Sequence, residues 1–68
     1  MDTHSILSRN IRHLARSKGY SLSRLADFAG LSAASLSRIV SRKRSPTVRT
    51  LEKIALALET RVVDLLVD

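Results

Sequence analysis

Residues 21–40, SLSRLADFAGLSAASLSRIV, read as two short helices joined by a tight turn. Leu22, Leu25, Ala26 and Ala29 fall at i, i+3, i+4 and i+7, which places one narrow apolar stripe on a helix of about two turns. Gly30 stops that helix, because glycine enters the left-handed conformation at little steric cost and lets the chain turn sharply toward Leu31. Ser32 then restarts a helix as its N-cap, with Leu31 before it able to pack on Leu36 in a hydrophobic staple. Leu36, Ile39 and Val40 form the buried side of the second helix, and Ala33, Ala34, Ser35, Ser37 and Arg38 are expected to point outward.

The same logic extends in both directions. Before this pair, Leu7, Ile11, Leu14 and Ala15 keep the spacing of a core stripe, with Arg9, Arg12 and Arg16 on the wet side. Residues 1–3 are expected to be a frayed end, with the helix under way by Ile6 or Leu7, and Gly19 closes it behind a Lys18 that suits the negative end of the helix dipole. Ser21 caps the next helix, with Tyr20 expected to lie against Leu25. After Val40, the run SRKRSP has neither apolar periodicity nor aromatics, and Pro46 disfavours helix at Ser45. Thr47 caps a fourth helix with Val48, Leu51, Ile54, Ala55 and Leu58 at apolar positions, and Glu59-Thr60 interrupts before a last short helix. The expectation is an all-α fold of five helices at about 5–18, 21–29, 32–40, 47–58 and 61–66, in one domain spanning residues 1–68.

A chain of 68 residues buries only about 60% of its unfolded surface, so nearly every large aliphatic residue is needed for the core and little is left to line a ligand pocket. No cysteine is present, which excludes disulfides, thiolate metal sites and cysteine nucleophiles. No apolar run approaches the roughly 20 residues of a membrane span and the first ten residues lack a signal-peptide pattern, so a soluble, cytoplasmic protein is expected. The net charge is +6, from twelve Lys and Arg against six Asp and Glu. Between Phe28 and Leu51 there is no acidic residue, whereas Arg38, Arg42, Lys43, Arg44 and Arg49 all lie there. Such a one-signed cluster beside an exposed helix face suits a polyanion, although a solvated basic loop has the same composition.

Catalysis finds no support. His4 and His13 match neither a helical metal pair nor a nucleophile-and-base arrangement, and both are expected at the surface. Ser21 and Ser32 have capping roles, no glycine-flanked elbow surrounds the other serines, and Asp27, Glu52 and Asp64 stand singly. No enzyme activity, metal, cofactor or small-molecule substrate is therefore expected. DNA binding fits better: a helix with small outward residues enters a major groove roughly 12 Å wide without collision, and Arg38 is the one long donor on that face. Ser35 and Ser37 can bond bases or phosphates, while Ala33 and Ala34 can meet thymine methyls. The small-residue face also suits packing against another protein helix.

With these residues in view, residues 11–66 resemble the phage repressor and Cro family of helix-turn-helix DNA-binding proteins, the XRE type. The resemblance rests on Lys18-Gly19-Tyr20-Ser21, Leu25-Ala26, Gly30-Leu31-Ser32 and Leu36-Ser37-Arg38-Ile39, and then on Arg44-Ser45-Pro46-Thr47, Thr50-Leu51, Lys53-Ile54-Ala55, Ala57-Leu58 and Asp64-Leu65-Leu66. It implies a five-helix, lambda-repressor-like domain, dimeric on DNA, with the third helix in the major groove. Its base-reading positions correspond to Ala33, Ala34, Ser35, Ser37 and Arg38, and its phosphate-contacting positions to Ser32 and Arg42, Lys43 and Arg44. Many members begin the second helix with a phosphate-binding Gln, where this chain has Leu22; Ser23 or Arg24 stands nearby to replace it, and Ser21 is expected among the backbone contacts too. A buried Arg on the first helix commonly pairs with Glu at the end of the third, where this chain has Ala15 and Val40. Losing both charges together is tolerated, whereas losing one strands the other at a cost of about 3–5 kcal/mol. The glycines usual after the third and fourth helices are Arg42 and Glu59 here, so those turns are expected to be built differently.

The resulting expectation is a sequence-specific transcriptional regulator, a repressor or Cro-like protein that binds a palindromic operator in double-stranded DNA as a homodimer. Val62, Val63, Leu66 and Val67 present more apolar surface than one helical turn can bury, which makes them the expected dimer interface. A protein-interaction module of antitoxin-like or regulatory type, or the DNA-binding domain of a longer regulator, is the alternative.

Overall fold

The computed structural model describes residues 2–68, which form five helices and no strand. Helix α1 (Thr3–Ser17) starts earlier than the apolar stripe indicates, because Asp2 is its N-cap and accepts from the Ser5 amide at 2.7 Å. Thr3 is thus the first helical residue and not part of a frayed end, while Met1 lies outside the described residues. Helices α2 (Leu22–Ala29), α3 (Ala33–Val40) and α4 (Val48–Ala57) begin at Ser21, Ser32 and Thr47. The three hydroxyls accept from the amides of Arg24, Ser35 and Thr50 at 3.1, 3.0 and 3.1 Å. Each satisfies one amide that the first turn leaves without a partner. Helix α5 (Val62–Leu66) is capped instead by Asp64, which accepts from the Arg61 amide at 3.3 Å.

All four joints close in the same way. The amides of Tyr20, Leu31, Lys43 and Thr60 reach back to the carbonyls of Ala15, Ala26, Arg38 and Ala55 at 2.8 to 2.9 Å, around a residue at positive φ. That residue is Gly19 after α1 and Gly30 after α2, as their sequence positions suggest. After α3 and α4 it is Arg42 (φ +65°) and Glu59 (φ +56°). The expectation that the missing glycines change these turns is therefore corrected: the Schellman closure is kept, with a left-handed side-chain-bearing residue costing about 1–2 kcal/mol at each. Both residues reach α1. Arg42 Nη1 donates to Ser5 Oγ at 2.6 Å near its start, and Glu59 Oε1 meets Lys18 Nζ at 3.0 Å beyond its end.

The core joins all five helices. Ile11, Leu25, Leu36, Ile54, Leu58 and Leu65 are its largest fully buried side chains, with α1 packed on α5, α3 and α2, and α2 also on α3 and α4. Ala15 and Val40 are both buried in it. Val48 departs from expectation: it is 70% exposed, because it is the first residue of α4 and lies at the margin of the arc defined by Leu51, Ile54 and Ala55. Tyr20, half-buried against the core, meets Phe28 in a tilted ring contact with centroids 5.1 Å apart. No helix among the described residues is long and apolar enough to cross a membrane.

Candidate nucleic-acid interface

The outward side of α3 follows from its buried side. With Leu36, Ile39 and Val40 in the core, Ala33, Ala34, Ser37 and Arg38 are exposed. Ser35 is half-buried, and its hydroxyl accepts from Ser32 Oγ at 2.9 Å, which leaves the Ser35 proton available to donate outward. Ser32 Oγ at the same time accepts from the Ser35 amide, so this start of α3 is held by a local pair of bonds. Arg38 makes no side-chain hydrogen bond or ion pair among the described residues, while its carbonyl accepts from the Lys43 amide at 2.8 Å. The guanidinium is free on a backbone that is fixed.

The far end of α3 is held by α1. His4 Nε2 lies 2.9 Å from the Ile39 carbonyl, and Ser8 Oγ donates to the Val40 carbonyl. The last carbonyls of a helix have no partner within it: that of Val40 takes the Ser8 hydroxyl, and that of Ile39 takes the Arg42 amide at 3.1 Å as well as facing His4. His4 is accordingly not the surface residue expected from sequence, whereas His13 is exposed. Asn10 does the same for α5: its Nδ2 faces the carbonyls of Asp64, Leu65 and Val67 at 3.4, 3.0 and 2.8 Å. Sequence reasoning missed all three roles, since a polar residue on a helix carries no mark of the distant carbonyl it meets.

Charges sort by position. Three of the cations pair with acids: Arg9 with Asp68, Lys18 with Glu59, and Arg61 with Asp64. All of these pairs involve α1, α5 or the turn before α5. No ion pair among the described residues reaches Arg24 on α2, Arg38 on α3, or Arg42, Lys43 and Arg44 in the loop that follows α3. Lys43 and Arg44 are exposed in the exit loop, whereas the Arg42 guanidinium is turned toward Ser5. At the start of α2, Leu22 is half-buried against the core, and Ser21, Ser23 and Arg24 are exposed beside it. The Ser21 hydroxyl is already engaged as a cap.

The C-terminal apolar residues divide. Leu65 is fully buried, Val62 and Leu66 are half-buried against the domain's own core, and Val63 and Val67 remain 49% and 53% exposed. No group of three or more His, Asp or Glu side chains comes together as a metal site among the described residues.

Comparison with known proteins agrees with this geometry. Over 52 residues the chain is 48% identical to the HTH-type transcriptional regulator SutR of Escherichia coli (strain K12), a stretch that is 76% of this chain and 29% of SutR. The chain therefore spans less than a third of that relative. Among solved structures it superposes on the hypothetical transcription factor NHTF from Neisseria with a TM-score of 0.93 at 28% identity, covering 96% of this chain and 73% of that one. An HTH_3 family transcriptional regulator from Vibrio cholerae gives a TM-score of 0.85 at 35% identity, covering 93% of this chain and 35% of that one. The HTH_3 helix-turn-helix family model matches residues 11–65, from the middle of α1 to Leu65 of α5, and the chain belongs to that family.

Proposed function

We propose that this chain is a sequence-specific DNA-binding transcriptional regulator of repressor or Cro-like type, acting in the cytoplasm as a homodimer on a palindromic operator. The observation that carries the reading is the exposed side of α3, made of small residues and an arginine without an ion pair among the described residues, on a helix held at both ends and followed by the basic loop Arg42 to Arg44. Family membership and the likeness to a protein named as a transcriptional regulator support it.

In this reading α3 lies in the major groove. Ala33 and Ala34 meet apolar base edges, Ser35 and Ser37 donate or accept there, and Arg38 takes both acceptors of a guanine. Ser21, Ser23, Arg24, Ser32, Arg42, Lys43 and Arg44 contact the phosphate backbone, which positions the helix without reading sequence. Two copies meet through Val62, Val63, Leu66 and Val67, chiefly through the exposed Val63 and Val67.

Selection of bound sequences from a random duplex library tests this directly. The expected result is one enriched motif with two half-sites, together with a salt dependence whose log-log slope is about −0.9 per phosphate contacted. No enriched motif and a shallow slope would replace it with a protein-interaction module on the same fold.

A further inference from the structure

Arg12 of α1 stands between two surface grooves. In one, Arg12 and Arg16 face Tyr20, Ser21 and Leu22 at the start of α2. In the other, Arg12 shares the surface with Ser5, Ser8 and Arg42, next to the exit from α3. Each groove holds one of the proposed backbone contacts, Ser21 in the first and Arg42 in the second, and Arg12 lines both. Arg12 and Arg16 are one helical turn apart, about 6 Å along the axis, an interval that covers about two phosphates of one DNA strand.

Neither arginine makes a side-chain hydrogen bond or an ion pair among the described residues, although acids neutralise Lys18 and Arg61 elsewhere on the molecule. Like charges at i and i+4 disfavour the free helix. A phosphate lying between them removes that repulsion. Guanidinium is also the cation best matched to the fork of phosphate oxygens.

We propose that Arg12 and Arg16 bind DNA phosphates, so that α1 joins the start of α2 and the exit loop of α3 into one continuous backbone track. The proposal rests on the DNA-binding reading and adds to it two contacts on a helix that carries no base-reading residue. Because phosphates are the same at every step, these contacts contribute affinity and leave base preference unchanged.

The test compares the whole chain with Arg12→Gln, Arg16→Gln and the double variant on a mixed-sequence duplex, between about 50 and 200 mM salt. Both side chains are exposed and removing either relieves their repulsion, so the melting temperature is expected to stay at the parent value or rise slightly. Each single variant should flatten the log-log slope by about 0.9 and the double variant by about 1.8. On a duplex carrying the selected motif, phosphate ethylation should show two phosphates per half-site that interfere with the parent and stop interfering with the double variant, while the others still interfere. A double variant with the parent slope and interference pattern overturns the proposal, and so does weaker binding at an unaltered slope. If the parent itself shows no steep slope, the DNA-binding reading fails and α1 faces a different partner, an acidic protein surface.

Discussion

The carbonyl of Ile39, next to last in α3, is held 2.9 Å from Nε2 of His4, thirty-five positions earlier in the chain. Ser8, one turn further along α1, does the same for Val40. The helix proposed to enter DNA thus takes its position from α1 as well as from its own apolar side. Removing the buried hydroxyl tests how much this matters. Ser8→Ala leaves the Val40 carbonyl without that donor and should cost about 1–3 kcal/mol in urea unfolding. His4→Ala, at a half-buried site, should cost less, about 0.5–1.5 kcal/mol. Equal stability of Ser8→Ala and parent would mean that water replaces the hydroxyl without loss.

Glu59 holds a left-handed backbone conformation that glycine adopts without penalty. Its exposed ion pair with Lys18 offsets little of that cost. Glu59→Gly should therefore stabilise the fold by about 0.5–1 kcal/mol after the greater freedom of glycine in the unfolded chain is deducted. A rise of roughly 2–8 °C in melting temperature is the expected reading. A fall would show that the link to Lys18 outweighs the backbone strain.

Two carboxylates give the fold an acid limit. The hydrogen bond from the Ser5 amide holds Asp2 below the ordinary value of 3.8, and the hydrogen bond from the Arg61 side chain does the same for Asp64. A carboxylate depressed in the folded state stabilises it at pH values above the unfolded value and loses that contribution as pH falls through the folded one. The melting temperature should be flat from neutrality to about pH 5 and drop below it. Asp2→Asn keeps an acceptor at the cap without the charge and should make the drop shallower. A transition centred above pH 6 would show that neither carboxylate sets the limit.

Arg38 and Lys43 should separate selectivity from affinity. Arg38→Ala is expected to erase preference at one base pair per half-site, a loss of about 1–3 kcal/mol of discrimination, with non-specific binding nearly intact. Arg38→Lys should rescue only in part, since an ammonium lacks the planar fork. Lys43→Ala should weaken all duplexes alike and flatten the salt slope by about one unit. An operator series with each base pair changed in turn decides the matter, and an unchanged preference profile in Arg38→Ala would falsify its base-reading role.

The exposed valines of the C-terminal segment should control assembly. Val63→Asp places a charge on a surface that the monomer leaves open, so the melting temperature should change little while dimers dissociate. Sedimentation should then show monomer at concentrations where the parent is dimeric, and cooperative occupancy of half-sites roughly 34 Å apart should be lost. A parent that stays monomeric at high concentration, both free and on DNA, removes the dimer.

Residues 21–40 show what sequence alone determines in this protein. A helix is written within about four residues of itself, so the spacing of Leu22, Leu25, Ala26 and Ala29, the caps Ser21 and Ser32, and the stop at Gly30 each carry a local mark. The outward side of α3 followed from them, because fixing Leu36, Ile39 and Val40 inward leaves Ala33, Ala34, Ser37 and Arg38 outside. The start of α1 was not legible from periodicity, since its first turn holds no stripe residue and depends on Asp2. Tertiary structure decided the rest. Only the packing of α1 across α3 and α5 brings His4, Ser8 and Asn10 to carbonyls that lie dozens of residues away. Only the demand for the same closing turn forces Arg42 and Glu59 into the left-handed region against their own preference. A division of Val62, Leu65 and Leu66 from Val63 and Val67 is likewise absent from a run that is apolar throughout; it exists because α5 rests on α1 and α4 with one side alone.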